Sequence, residues 1–241
     1  MSITVYWSPW GEQEQYASRF LSYQTPDRLV DGLKHFRNEE NRMDNFLMCP
    51  AFNNSIKNTF VFRAPTDVNI RFTAREMFNH LDPNRPFDPE TIKPKAPSLI
   101  NSTTVQYKPS WIFFCEETML MQTSPPYMHQ HSVAKHGYIV PGSFDISNWF
   151  RPVESAIQLW PNQNEVQINQ DDPLLYVNFI NSQPVKLQKF YLTNELYDIG
   201  MSCVNLKGYR FERSLSKLYN IFQSSRLKNK LIDGIKNNLL D

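Results

Sequence analysis

Glycine is scarce in this chain, seven among 241 residues, and nowhere do glycines cluster into a loop that could cradle a phosphate. The GxSxG elbow of hydrolases and the HExxH helix of zinc proteases are missing too. A P-loop nucleotide hydrolase is therefore excluded. Cysteine is as sparse: Cys49, Cys115 and Cys203 stand far apart and show no CxxC spacing. An odd number without a pairing pattern suits buried free thiols in a reducing compartment. Charge of one sign is also lacking, since 25 basic and 24 acidic residues leave a net +1. No long-range field then draws in DNA, RNA or an anionic membrane, and protein contacts are the better expectation. No apolar run approaches the ~20 residues of a membrane span. The opening MSITVYWSPWGEQ has neither the basic start nor the apolar stretch of a secretion signal. These absences lead us to expect a protein made and working in a cytoplasm.

What is present favours sheets. Aromatic residues make up 14% of the chain, and 17 prolines outnumber the glycines. Flat and branched side chains pack well on a pleated surface, while proline punctuates strands and holds loops extended. The stretch from Gly137 to Ile180 alternates apolar and polar residues in three short runs, each closed by Pro, Asn or Asp. That is the pattern of strands with one buried and one wet face. Ile3 to Trp7 reads as a first strand, which Pro9, Trp10 and Gly11 end. Thr59–Arg63 and Val68–Phe72 read as a hairpin through Ala64-Pro65-Thr66-Asp67, with Val68, Ile70 and Phe72 pointing inward. Further strands are expected at Thr104–Tyr107, Trp111–Phe114, Met119–Gln122 and Val185–Leu192. His80 to Leu99 carries five prolines and reads as an extended surface connection. Short helices are expected over Pro26–Phe36 and from Asn194 through Met201, the latter capped by Thr193 or Asn194.

The C-terminus differs. Leu215, Leu218, Ile221 and Phe222, then Leu227, Leu231, Ile235 and Leu239, recur at helical spacing with Lys217, Arg226, Lys228, Lys230 and Lys236 between them. This is an amphipathic helix, or two with a break near Ser224-Ser225. Its stripe either packs on the chain's own sheet or forms a subunit contact through Leu215, Leu218, Phe222, Leu231 and Ile235. The expected fold is mainly β: a sandwich, jelly-roll-like or β-clip-like, over residues 1–212, with a helical segment over 213–241.

Three segments, Met48–Val68, Gly142–Leu159 and Ser214–Leu239, resemble proteins encoded by large tailed phages of marine cyanobacteria. The resemblance spans most of the chain. It implies a phage protein made in a host cytoplasm and carries no activity or catalytic residue with it. A weaker likeness in topology is to the β-clip fold of trimeric dUTPases. Val166–Val177 (VQINQDDPLLYV) resembles the ending of that fold, with Asp171-Asp172 where the family has Gly-Asp. The nucleotide-binding motifs of dUTPases are not found upstream, so the likeness concerns architecture and not activity.

Candidate chemistry gathers at two places. In Tyr127–His136, His129 and His131 stand two apart and would share one side of a strand, with His136, Glu116 or Glu117 as a third ligand for iron or zinc. A cupin-like site wants a carboxylate soon after the pair, where this chain has Ala134-Lys135-His136. The alternative is a solvated histidine-rich loop without cofactor. In Phe144–Pro152, Phe144 and Trp149 offer rings, Arg151 offers a cation, and Asp145 and Asn148 stand between them. This is either a small binding surface or a turn whose Asp145 and Asn148 satisfy backbone amides while Trp149 and Phe150 enter the core. Cys115 beside Glu116 and Glu117 reads as an apolar strand residue, because neighbouring carboxylates oppose a thiolate. Cys49 reads as core packing.

Three functional classes follow from these readings. The first is a non-enzymatic phage component of virion or assembly, contacting itself as a homo-oligomer or another phage or host protein. The second is a metal-dependent β-sandwich enzyme, and the third a small-molecule or nucleotide-binding module that counters a host defence.

Overall fold

Alternation along each strand sets which side chains meet in the middle of this protein. A computed structural model describes residues 2–11, 22–34, 46–72, 77–79, 92–99, 102–210 and 214–240. The chain begins with β1 (Ile3–Trp10), β2 (Asp27–Arg28), the one-turn helix α1 (Leu29–Gly32) and helix α2 (Pro50–Ile56). Strands β3 (Thr59–Arg63), β4 (Val68–Phe72), β5 (Met77–Asn79), β6 (Ile92–Leu99) and the long β7 (Ser102–Phe114) follow. Next come β8 (Leu120–Ser124), β9 (Gly137–Ile139), β10 (Gly142–Asp145), β11 (Pro152–Leu159), β12 (Glu165–Ile168), β13 (Pro173–Ile180) and β14 (Val185–Lys189). Helices α3 (Asn194–Arg210), α4 (Leu215–Ser224) and α5 (Leu227–Lys236) close the chain.

The protein is mainly β. One sheet runs β14-β1-β7-β11-β9 with β6 also on β7, a second runs β10-β8-β13-β3-β2, and a third runs β12-β4-β5. On β1, Ile3, Val5 and Trp7 face the interior of the sandwich while Tyr6 faces out. Likewise Trp111 and Phe113 face in and Ile112 and Phe114 face out. The second sheet mirrors this, with Phe60, Phe62, Leu175, Val177 and Phe179 inside and Val61 and Tyr176 outside. Phe62 stands at the centre, edge-on to Trp7, Trp111 and Phe113 with ring centroids 5.3 to 6.0 Å away. Edge-to-face contacts suit the aromatic quadrupole and add to the burial of the rings.

Both outer faces carry helices. Against the first sheet, Tyr6, Ile112, Phe114, Phe150 and Phe190 are covered by residues of α3, α4 and α5. Against the second, Val61 and Tyr176 are covered by Leu29, Leu33, Leu47 and Ile56. Gly200 lets α3 settle on the sheet: a Cβ there would lie 2.5 Å from the Trp10 ring. The α3 start is capped by Thr193, whose hydroxyl accepts from the Leu196 amide.

Several expectations are corrected here. The strands Thr59–Arg63 and Val68–Phe72 form, but they are not a hairpin: β3 pairs with β13 and β2, whereas β4 pairs with β12 and β5. The connection between them carries the chain from one sheet to another. Ala64 is held by backbone hydrogen bonds to Asp171 and Asp172 rather than across a tight turn. Val68 and Ile70 do enter the core, and the Phe72 side chain lies outside the described residues. The proline-rich connection ends in a strand, β6, paired with β7. Among the described residues β6 pairs with β7 alone, so Pro94 lies on an edge strand, and Pro97 falls where the ladder is irregular between Lys95 and Leu99. Residues 80–91 lie outside the described residues. The helix expected over Pro26–Phe36 reduces to β2 and one helical turn, with 35 and 36 outside the described residues.

The C-terminal break is where its sequence placed it. Arg226 sits between α4 and α5 at φ 59°, a left-handed conformation that ends one helix and redirects the chain. The helical layer, however, begins at Asn194, upstream of residue 213. The last residues return to the sheet: Tyr191 N–H donates to Asn238, Leu240 N–H donates to Lys189, and Phe190 bridges Leu239.

Asn58 holds the β13–β14 turn. Its buried amide donates to the carbonyls of Asn181 (3.0 Å) and Gln183 (2.9 Å) and accepts from the Val185 N–H (3.0 Å). Asn58→Ala orphans three backbone groups and is expected to cost about 3 kcal/mol. A denaturant midpoint that does not move would show that the turn holds without it.

Candidate functional site

The helices leave part of the second sheet's outer face open, over β8, β10 and the end of β13. Strand register places four polar side chains in one row there. Ser143 on β10 pairs with Gln122 on β8, Gln122 with Asn178 on β13, and Asn178 with Thr59 on β3. Neighbouring strands lie about 4.8 Å apart, so the row crosses roughly 14 Å. Above it lies a groove of about 530 Å³ lined, among the described residues, by ten, none of them acidic or basic. Ser55 at the end of α2 walls one side, and Tyr127 stands at another, its ring 57% exposed. Leu120 and Ile180, paired in register beside Gln122 and Asn178, are exposed and form an apolar margin.

Some of these groups are oriented by the fold. The Asn178 amide donates to the Ser55 carbonyl (3.3 Å), which leaves its own carbonyl oxygen as an acceptor. The Thr123 hydroxyl accepts from the Gly142 N–H at 2.9 Å and so is committed to the β8–β10 junction. The side chains of Gln122, Ser124 and Ser143 make no hydrogen bond among the described residues, and Gln122 and Ser143 are exposed. The site therefore offers carboxamide and hydroxyl groups on a rigid sheet. Burial raises the Tyr127 phenol above its ordinary pKa, so it stays a neutral donor and acceptor.

The histidine segment is a loop rather than a strand, with His129 and His131 half-buried and His136 buried. After Pro125-Pro126 it turns and forms one 3₁₀ turn, Ser132–Lys135. His129 is half-buried with Nδ1 against the Tyr176 hydroxyl, which also accepts from the Met128 N–H. The nearby His131 has a buried Nδ1 without a hydrogen bond among the described residues. His136 is buried at 7% exposure, and its Nδ1 lies 2.7 Å from the Gln163 amide and 3.9 Å from Glu165. Of the ligands read from the sequence, His129 engages Tyr176 while His136 engages Gln163. No group of three His, Cys, Asp and Glu side chains placed to hold a metal occurs among the described residues.

Burial lowers the pKa of all three histidines below the ordinary range, helped at His129 by Arg63 and opposed at His131 by Asp172 and at His136 by Glu165. A base with a depressed folded pKa binds more protons when unfolded, so folding loses stability as pH falls through about 6.5. The Tm is expected to drop on crossing that pH downward, and to drop less in His136→Gln. A Tm that rises on acidification would refute this.

Phe144, Trp149 and Arg151 come together around a second, smaller pocket of about 130 Å³. Asp145 and Asn148 instead build a turn. Asp145 accepts from the Ser147 N–H and hydroxyl and from the Asn148 amide at 2.6 to 2.9 Å. Helix α4 clamps this turn, with the Asp145 N–H donating to the Tyr219 hydroxyl and Gln223 donating to Asn148. Trp149 and Phe150 are buried. Four of the five residues offered as a subunit contact, Leu218, Phe222, Leu231 and Ile235, are buried within this chain, while Leu215 is 44% exposed.

No family model, curated protein or solved structure matches the chain. Its function is therefore argued from its residues. Cys115 and Cys203 are buried free thiols, and burial pushes each up to about 11. Cys49 is a correction: Pro50 opens α2 and leaves Cys49 exposed at its N-cap, outside the core. Among the described residues no helix is long and apolar enough to cross a membrane.

The groove escaped the sequence reading, although one signal was present. Within Leu120-Met121-Gln122-Thr123-Ser124 the outward positions end in polar side chains. That Ser143, Asn178 and Thr59 stand beside them is a matter of register between distant segments.

Proposed function

We propose that this protein acts by binding rather than catalysis, as a phage-encoded recognition or assembly component whose ligand site is the groove over β8, β10 and β13. The observation that carries this reading is the Ser143–Gln122–Asn178–Thr59 row. It offers several directed hydrogen bonds and one exposed ring, with no acid or base to move a proton. The thiols of Cys115 and Cys203, which could act as nucleophiles, are raised in pKa, opposite to what reactivity needs. The resemblance of three long segments to phage proteins supports synthesis in a host cytoplasm and a phage or host macromolecule as partner. Oligomerisation through the C-terminal stripe has less support, because that stripe is covered by the chain's own sheet. The pocket beside Trp149 and Arg151 suits at most a very small ligand at about 130 Å³.

Gln122→Trp tests this reading by filling the groove at its middle from an exposed position. Its stability is expected within about 0.5 kcal/mol of the parent. Thermal shifts are measured over a panel of peptides, nucleotides, and neutral and charged glycans. At least one class is expected to raise the Tm of the parent and leave the variant unmoved. A ligand that stabilises both equally would place the binding site elsewhere and sink the proposal.

A further inference from the structure

We infer that the groove takes an uncharged oligosaccharide, an inference that rests on the binding reading above and names its ligand class. The first argument is charge. None of the ten lining residues is acidic or basic. A nucleotide, a phosphopeptide or a uronic-acid glycan would bury its anionic group against no counter-charge, and an unpaired charge out of water is expensive. A neutral ligand has no such cost.

The second argument is the kind of hydrogen bond on offer. A sugar hydroxyl donates and accepts at once, so it is best met by groups that do both. The Gln122 carboxamide presents a donor and an acceptor side by side, and the hydroxyls of Ser124 and Ser143 each serve in either role. Asn178 adds an oriented carbonyl oxygen, since one of its amide N–H groups is committed to Ser55. These groups stand on paired strands, so no backbone order has to be acquired on binding.

The third argument is the ring. Tyr127 is held edge-on by the buried Tyr176, with centroids 5.1 Å apart and planes at 76°, while more than half of its surface stays in water. The negative face of an exposed phenol suits the C–H face of a pyranose. Leu120 and Ile180 extend apolar surface along the other margin. Alternating polar row and apolar margin matches a molecule whose rings are apolar on their faces and polar at their edges.

Geometry sets this apart from peptide capture. An extended peptide gains affinity by adding its backbone to a sheet edge. Here the groove lies across the face of the sheet, where β8 and β13 are paired on both sides and only β10 is an edge strand. Recognition on that face falls to side chains. Thr59 is buried with its hydroxyl on the Ser55 carbonyl, so Ser143, Gln122 and Asn178 form the solvent-facing row of roughly 10 Å, which with a volume of about 530 Å³ suits a short oligosaccharide rather than a single ring.

The test uses the full chain on an array of neutral and anionic glycans, followed by titration calorimetry with the best neutral oligosaccharide and with a pool of unstructured peptides. Binding to a neutral glycan is expected, unchanged by added salt because no charges are paired. Gln122→Ala and Tyr127→Ala, both at exposed positions, are expected to weaken it about tenfold or more. If an anionic glycan or a peptide binds instead and Gln122→Ala abolishes that binding, the carbohydrate inference is overturned while the groove remains a binding site. If no ligand binds, or neither variant alters binding, both fail together.

Discussion

Deleting Ser214–Asp241 is expected to unfold this protein rather than to release a monomer from an oligomer. The deleted segment covers Tyr6, Ile112, Phe114, Phe150 and Phe190 on the outer face of the first sheet. It supplies Leu218, Phe222, Leu231 and Ile235, each 2% exposed or less. Burying such a side chain is worth about 1.5–3 kcal/mol, so the four together approach the whole stability of a typical domain. Backbone hydrogen bonds from Tyr191 to Asn238 and from Leu240 to Lys189 are lost as well. Lys236 also leaves Glu116, an exposed pair 2.9 Å apart whose loss matters little by comparison. The truncated chain is expected to lose near-ultraviolet circular dichroism and to aggregate. Leu231→Asp, which places a carboxylate at a fully buried position, is expected to do the same. A truncated protein that elutes as a monomer with its aromatic signal intact would show that the helices dock without supporting the sheet.

Phe62→Ala carries the second large effect, about 3–5 kcal/mol and roughly a 10 °C fall in Tm for a chain of this size. Phe62, on the second sheet, is 1% exposed and meets Trp7, Trp111 and Phe113 of the first sheet edge-on, so its pocket joins the two sheets. The surrounding rings are large and drawn from two paired strands, β1 and β7, which limits collapse into the space left behind. Ile180→Ala, at 45% exposure on the groove margin, serves as the comparison and is expected to stay within about 0.5 kcal/mol. Equilibrium unfolding in guanidinium measures both. A cost below about 1 kcal/mol at Phe62 would mean that the sandwich interior repacks, contrary to its close aromatic geometry.

Much of the fold was legible where one periodicity ran unbroken. Ile3-Val5-Trp7, Phe60-Phe62 and Leu175-Val177-Phe179 alternate with outward residues, and all are buried as that alternation requires. The break between the two C-terminal helices was legible in Ser224-Ser225, next to the left-handed Arg226. Asp171 takes φ 66° in the polar turn before β13, the conformation glycine adopts without strain, so that turn forms without one. Short apolar runs were less informative. Val68–Phe72 was legible as a strand but not as a member of a different sheet from Thr59–Arg63. Four intervening residues look like a hairpin connection whether the chain folds back or crosses over.

The candidate sites divide in the same way. Asp145 built the turn that short polar side chains favour, because the Ser147 and Asn148 groups it satisfies lie within three residues, whereas the Asn148 oxygen takes the distant Gln223. The contacts of the histidines were not legible, because their partners, Tyr176, Gln163 and Glu165, lie 27 to 47 residues away.

Composition and alternation by themselves determined that this is a mainly β protein with a two-helix C-terminal stripe, because burial of one face per strand or helix is a local requirement. Only the tertiary structure decided that the stripe closes on the chain's own sheet. It alone brought Ser143, Gln122, Asn178 and Thr59 into one row, because register between strands far apart in the chain is set by the packing of the whole sandwich.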